Sequence, residues 1–377
     1  MQKPSIAKSS SSPEAAGKAD GVRDADLDYI VGELEAELDQ MAGGRLLITG
    51  GAGFLGYYLV QAATHWNQSH PASAIDVEVF DSYLRGIPGW LDPLRTSVRI
   101  RAHDVRENLP LDAGPWDFVI HAAGIASPSI YRRYPLETMD ANINGLRHLL
   151  DRSVDSSLKG MLFFSSSEIY GDPPADAIPT PETYRGNVSC TGPRACYDES
   201  KRYGETLVVT FASHYGVPVR TARPFNNYGP GMKINDGRVI ADFARNVLAG
   251  EDIALLSDGS PTRTFCYVAD AVIGYYKVLV RGRAGEAYNI GAEEPEVSMA
   301  ELADRMVAIG RDEFGFSGSV VRATSDEAEY LTDNPGRRRP ALDKARSELG
   351  YEPRIDLDEG IRRTLRWYAG QPPASGA

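Results

Sequence analysis

The sequence predicts a doubly wound parallel α/β sheet followed by a smaller α/β lobe at the C-terminal end. Three observations carry that expectation. From Arg45 onward, short apolar runs alternate with stretches of helical periodicity, as strands joined by crossover helices require. A glycine-rich turn joins the first run to the first helical stretch. After about Pro224 the alternation weakens and loops lengthen while strands and helices still recur, so two lobes are expected to share a cleft.

The elements follow in order. Residues 1–23, rich in Ser, Ala and Lys, are expected to form a disordered tail. Residues 24–42 carry Asp24, Asp26, Asp28, Glu33, Glu35, Glu37 and Asp39 with no basic residue. Leu27, Ile30, Val31, Leu34, Leu38 and Met41 fall on one stripe of the same stretch, so an acidic amphipathic helix is expected, packed on its own body or on a partner. Residues 43–223 supply the main sheet, with strands at 45–49, 77–81, 98–102, 118–121, 160–165 and 218–222. Helices are expected at 54–65, 136–153 and 195–215, and residues 224–377 should mainly form a substrate-binding lobe.

Composition narrows the class. The net charge of −12 across 377 residues argues against nucleic acid as a partner. No apolar run reaches the roughly 18 residues of a membrane span, and no secretory apolar core opens the chain, so a cytoplasmic protein is expected. Cys190, Cys196 and Cys266 show no CxxC spacing and leave an odd count, which points to neither a metal site nor a disulfide framework.

Gly50-Gly51-Ala52-Gly53-Phe54-Leu55-Gly56 lies where the first strand becomes the first helix. Glycine lets that backbone turn tightly and approach a pyrophosphate, while the helix N-terminus supplies donors and a positive dipole. Asp81, at the end of the second strand, suits the ribose hydroxyls of NAD and would repel the extra phosphate of NADP. Asp104 and Val105, after the third strand, are placed to border the adenine. The set predicts a Rossmann-type domain that binds NAD.

Tyr197 and Lys201 stand one helical turn apart on the helix that follows a strand ending in Ser165-Ser166-Ser167-Glu168. Hydride removal from an alcohol needs a base for the hydroxyl proton. A tyrosine serves if a lysine ammonium and the nicotinamide charge stabilise its phenolate, and a serine hydroxyl can orient the same substrate oxygen.

With these residues the chain resembles the extended short-chain dehydrogenases over about residues 45–368, and within them the UDP-glucuronate decarboxylases. Residues 165–173, SSSEIYGDP, resemble the S-T-S-E-V-Y-G-D-P of that group. Residues 184–202, YRGNVSCTGPRACYDESKR, resemble its Y-W-G-x-V-N-P-x-G-P-R-x-C-Y-D-E-x-K-R, and Asn235 to Val239 and Thr262 to Val268 match its later segments. Ser166 replaces the usual threonine, Pro224 an isoleucine, Gly231 an arginine and Ala341 an aspartate.

The resemblance implies oxidation at C4 of UDP-glucuronate, loss of CO2 from the resulting β-keto acid, and release of UDP-xylose or the 4-keto pentose. It implies Tyr197 as base, Lys201 as its activator and Ser166 as partner of O4. Glu168 and Arg263 would lie near C5 and the carboxylate, with the C5 proton donor left open between them. Asn226, Arg238 and Val239 would hold the UDP moiety, and Asn142 either braces the site or lies on a helix surface. A homodimer through the helices at 136–153 and 195–215 is also implied. The alternatives are a 4-epimerase or a 4,6-dehydratase on the same fold, or a non-catalytic NAD-binding protein.

Overall fold

The runs Arg45–Thr49 (β1), Phe118–His121 (β4) and Gly160–Phe164 (β5) bury nearly every residue. A strand buried on both faces belongs inside a sheet covered by helices on either side. Asp76–Asp81 (β2), Arg99–Ala102 (β3) and Val219–Pro224 (β6) complete the series. In a computed structural model, which describes residues 13–324, 332 and 334–372, these strands form one parallel seven-stranded sheet. Its order is Ala287–Ile290, β6, β5, β4, β1, β2, β3. The alternation of each strand divides the core in two. Ile48, Val79, Ile120 and Leu162 face one layer, while Leu47, Phe80, Val119 and Met161 face the other.

The helices are α1 (Pro13–Glu33), α2 (Glu35–Met41), α3 (Phe54–Ser69), α4 (Pro128–Arg133), α5 (Pro135–Ser153) and α6 (Ala195–Tyr215). They continue with α7 (Val239–Ala249), α8 (Val268–Arg281), α9 (Met299–Phe314), α10 (Asp343–Leu349) and α11 (Leu357–Ala369). Helices α5 and α6 cover one face of the sheet, and α3 and α8 the other. Strand order reverses between β1 and β4, and such a switch point opens a crevice at the carboxyl ends of the strands.

Two boundaries differ from those expected. A division at residue 224 cuts the sheet, because Ala287–Ile290 returns to pair in parallel with β6, from Ala287 opposite Thr221 to Ile290 opposite Pro224. Helix α8 packs under β5 and β6, so this part of the second half belongs to the main sheet layer. The far wall of the cleft comes from α7, α9 and short strand pairs. The second correction concerns the N-terminal tail. Residues 1–12 lie outside the described residues, but 13–23 are helical, because Ala19 and Val22 bury their side chains in the core. An added Cβ at Gly370, just past α11, would stand 2.4 Å from Ala19 Cβ, so the two helix ends meet closely.

The acidic stretch packs on its own body, and some of its charges point inward. Asp26 is fully buried and accepts hydrogen bonds from Tyr58 and Tyr267 (both 2.6 Å) and from Arg363 (2.7 Å). Tyr29 donates to Asp270 at 2.6 Å, and buried Glu37 pairs with Lys277 and Arg281. A carboxylate this deep is tolerated only because its partners satisfy it. Replacing Asp26 with Ala leaves two buried tyrosine hydroxyls without their acceptor and Arg363 with Glu359 alone, and is expected to lower unfolding free energy by about 3–5 kcal/mol in a denaturant titration. Asp24→Ala, on the exposed side of the same helix, should change it by less than about 0.5 kcal/mol. Equal effects would refute the clamp.

Candidate active site

The site grows from the end of β1. Gly50 turns with φ 70°, and an added Cβ would lie 2.6 Å from the Ala123 backbone, so the loop runs against the end of β4. At Gly56 a Cβ would lie 2.2 Å from the Gly51 carbonyl oxygen, which only glycine permits where α3 leaves the loop. Asp81 ties this loop down: its carboxylate accepts the Ala52 N–H at 3.0 Å and the Tyr83 N–H at 2.8 Å. Burial nonetheless pushes its carboxyl above the usual carboxylate range. Phe54 and Leu55 open α3 at the edge of the cleft.

The cleft is one cavity of about 2070 Å³, lined from both lobes, against the roughly 300–1,000 Å³ of a typical single-ligand site. A glycine cradle with no room for a Cβ, a helix N-terminus and an acid at the end of β2 fit a dinucleotide with free ribose hydroxyls. Asp104 and Val105 border the same cavity. The Arg106 guanidinium holds the Asp104 carboxyl below its usual range, and Val105 is buried against Gly145.

Across the cleft, β5 ends in Ser165-Ser166-Ser167 and α6 carries the tyrosine and lysine. The Ser166 hydroxyl accepts the Glu168 N–H at 3.2 Å and stands near enough to the Tyr197 phenol to favour its ionised form, against the larger effect of burial. Lys201 Nζ donates to the Phe164 carbonyl at 2.8 Å and lies 5.7 Å from the Tyr197 ring centroid. Burial pushes the phenol up to about 12 and pulls the ammonium down to about 7, so the bare pocket disfavours both charged forms. Tyr131, from α4, stacks on Tyr197 at 5.1 Å. Asn142 is fully buried, not on a helix surface: its amide donates to Ser200 at 2.9 Å, and its oxygen has no partner among the described residues.

Below Ser166 lies a cluster of charges. Arg338 grips Glu168 with two parallel hydrogen bonds of 2.6 Å each, and Arg194 donates to the same carboxylate. Asp198 stands 3.7 Å from Arg194, and burial with Glu168 close by pushes its carboxyl up to about 7. Arg263 is held by carbonyl oxygens, at 2.6 Å from Pro335, 2.8 Å from Thr262 and 3.1 Å from Gly336. It has no carboxylate partner among the described residues, and burial and Arg338 pull it down to about 9. Register explains the meeting, since Arg337–Arg338 pairs with Thr262–Arg263 as a short strand.

The remaining expected residues line the opposite wall. Asn226 donates to the Thr264 carbonyl at 2.8 Å, Arg238 lies over the Phe54 ring at 5.6 Å, and Val239 begins α7. Buried Asp236 pairs with both Arg238 (3.1 Å) and Arg85 (2.7 Å), the latter from the loop after β2. Arg85, Tyr131, Arg194, Asp198 and Arg338 were not expected from the sequence. Arg194 and Asp198 sit inside the segment already singled out around Tyr197, whereas nothing local to Arg338 signals its partner 170 residues earlier.

A parallel sheet whose switch-point loop cradles a dinucleotide beside a Ser–Tyr–Lys set defines a nicotinamide-dependent enzyme class. Residues 46–291 match the NAD dependent epimerase/dehydratase family, and the chain belongs to that family. It is 37% identical over 321 residues to UDP-glucuronic acid decarboxylase 3 of Arabidopsis thaliana, covering 84% of this chain and 86% of that one. It is 35% identical over 326 residues to UDP-glucuronic acid decarboxylase 1 of Xenopus tropicalis, covering 86% and 72%. Among solved structures, it superposes with TM-score 0.73 and 27% identity on the dTDP-glucose 4,6-dehydratase of Streptomyces venezuelae with NAD bound. That match covers 86% of this chain and 96% of the other.

The role of Asp81 is read from cofactor choice. Titration with each cofactor should show tighter binding of NAD than of NADP, and Asp81→Ala should narrow that preference by roughly fivefold or more, since one repelled charge is worth at least about a kcal/mol in a partly buried site. A wild-type protein that binds both equally would contradict the assignment.

Proposed function

We propose that the protein decarboxylates UDP-glucuronate with NAD, giving UDP-xylose, the UDP-4-keto pentose, or both. One observation carries the reading. Beside the Ser166–Tyr197–Lys201 set, the cleft holds buried Arg194 and Arg263 and half-buried Arg338 against two carboxylates, Glu168 and Asp198, the second of them pushed toward neutrality, so positive charge is in excess. A monoanionic group on the carbon next to the oxidised one balances it. The 84% coverage of this chain by a curated decarboxylase supports the same choice.

The chemistry follows from the residues. Ser166 orients O4 of the sugar, and Tyr197 takes the proton of that hydroxyl while Lys201 stabilises the phenolate. NAD, held by the Gly50–Gly56 loop and Asp81, would supply the hydride acceptor for C4 and the means to return that hydride. With C4 a ketone, the C5–C6 bond breaks, its electron pair forms the C4–C5 double bond of an enolate, and CO2 leaves. Ser166 and the protonated Tyr197 donate to the enolate oxygen, and a proton then returns to C5. Glu168 and Arg263 are the groups we assign to that carboxylate and proton. Asn226, Arg238 and the first turn of α7 at Val239 are assigned to the UDP, where a guanidinium and a helix N-terminus suit phosphate.

We further propose a homodimer through α5 and α6, whose outer faces leave Leu136 (70%), Val209 (53%) and Tyr215 (58%) exposed. The cytoplasm is the proposed compartment, consistent with three free cysteines.

Incubation with UDP-glucuronate and NAD should release CO2, read together with NADH absorbance and mass spectrometry of the products. Conversion to UDP-galacturonate with the carboxylate retained would end the decarboxylase reading. Tyr197→Phe should bind NAD normally and lose roughly 10²–10⁴-fold in turnover. Turnover near that of wild type would show that Tyr197 is not the base. Light scattering at micromolar concentration should give twice the 41.1 kDa chain mass, and a monomer would remove the dimer.

A further inference from the structure

Glu168 is not a free carboxylate. Both its oxygens are occupied, and the group that occupies both, Arg338, belongs to the other half of the chain. The fork crosses from the short strand Arg337–Arg338 to the turn after β5, joining the substrate wall to the Tyr197 side of the cleft. Glu168, Arg194, Arg263 and Arg338 all line the cavity, so the ion pair stands within reach of a ligand. A planar guanidinium fork fits one carboxylate at a time in this two-pronged way.

We propose that Arg338 is a positioning and specificity residue: it holds Glu168 as a paired anion across the cleft, and the substrate's carboxylate exchanges into that fork on binding. The inference deepens the decarboxylase reading and rests on it for the reaction measured. Exchange is chemically even, one carboxylate replacing another, so no buried charge is left without a partner. Arg194 stays with Glu168, and Arg263, free of any anionic partner among the described residues, offers the incoming group a second cation. A sugar nucleotide without a carboxylate cannot make the trade and leaves Glu168 locked.

The groups facing Glu168 are Arg338, Arg194 and Arg263 as cations, Asp198 as an anion, and the Tyr131 and Tyr197 phenols. Arg338 and Arg194, with Arg263, outweigh burial and hold the Glu168 carboxyl below its usual range. The sign follows. A depressed carboxyl stays ionised until the pH falls through its lowered value, so taking Arg338 away moves that loss to higher pH.

The test uses the full chain with NAD in three variants, Arg338→Gln, Arg338→Lys and Arg337→Gln. The neighbour Arg337 pairs instead with Glu296 at the surface and serves as the control. In Arg338→Gln the acid limb of kcat/KM for CO2 release should move up by roughly 1–3 pH units. Its binding preference for UDP-glucuronate over UDP-glucose should also fall by roughly tenfold or more. Arg338→Lys keeps the charge and loses the fork, so its acid limb should stay near that of wild type while the preference still drops. NAD titration reports whether each variant is folded. An Arg338→Gln protein that binds NAD, yet keeps both the wild-type acid limb and the wild-type preference, overturns the proposal, as does an equal response in Arg337→Gln. The two failures separate cleanly. A wild type that releases no CO2 sinks the decarboxylase reading, whereas the binding preference tests Arg338 whatever the reaction.

Discussion

Every strand of the main sheet runs in the same direction, and the rest of the molecule answers to that constraint. Parallel strands need crossovers that return over the faces, so all their carboxyl ends empty along one edge. The glycine turn after β1, Asp81 at the end of β2, Asp104 after β3, the serine run after β5 and Asn226 after β6 therefore meet in one cleft though they span 177 residues of sequence. The reversal of strand order between β1 and β4 parts the loops and gives the cleft its depth.

Depth brings an electrostatic cost. A dry pocket disfavours phenolate, ammonium and carboxylate alike, and Tyr197, Lys201 and Asp198 are each pushed toward neutrality. Glu168 escapes that fate because arginines surround it, and Arg263 is tolerated because carbonyl oxygens surround it. The cleft's own residues are thus short of negative charge near the serine run. A ligand that carries an acid and a diphosphate supplies it on both walls, at the arginine cluster and at Arg238.

Much of this was legible in the sequence, because periodicity and glycine spacing act over short distances. β1, β4 and α6 fall at the residues expected, and the Tyr197–Lys201 pair sits on the expected helix. What escaped was non-local. The return of Ala287–Ile290 to the sheet is invisible to a reading of texture, since a four-residue strand looks the same in either lobe. The N-terminal residues 13–23 have a composition poor in large apolar groups, yet small Ala19 is what a close helix crossing requires. Arg338 was hidden for a similar reason: a run of three arginines reads as solvated surface until the partner strand places one of them beneath the site.

The clamp on α1 ties the beginning of the chain to its end. Asp26 receives Arg363 across 337 residues, and α1 rests on α11. A ribosome adding about 5–20 residues per second would deliver the guanidinium roughly twenty to seventy seconds after the carboxylate. Throughout that interval the first helix has apolar and acidic side chains with no completed surface to receive them. α3 and α8 offer α1 a partial seat meanwhile, but Asp26 gains its guanidinium only once α11 has been made.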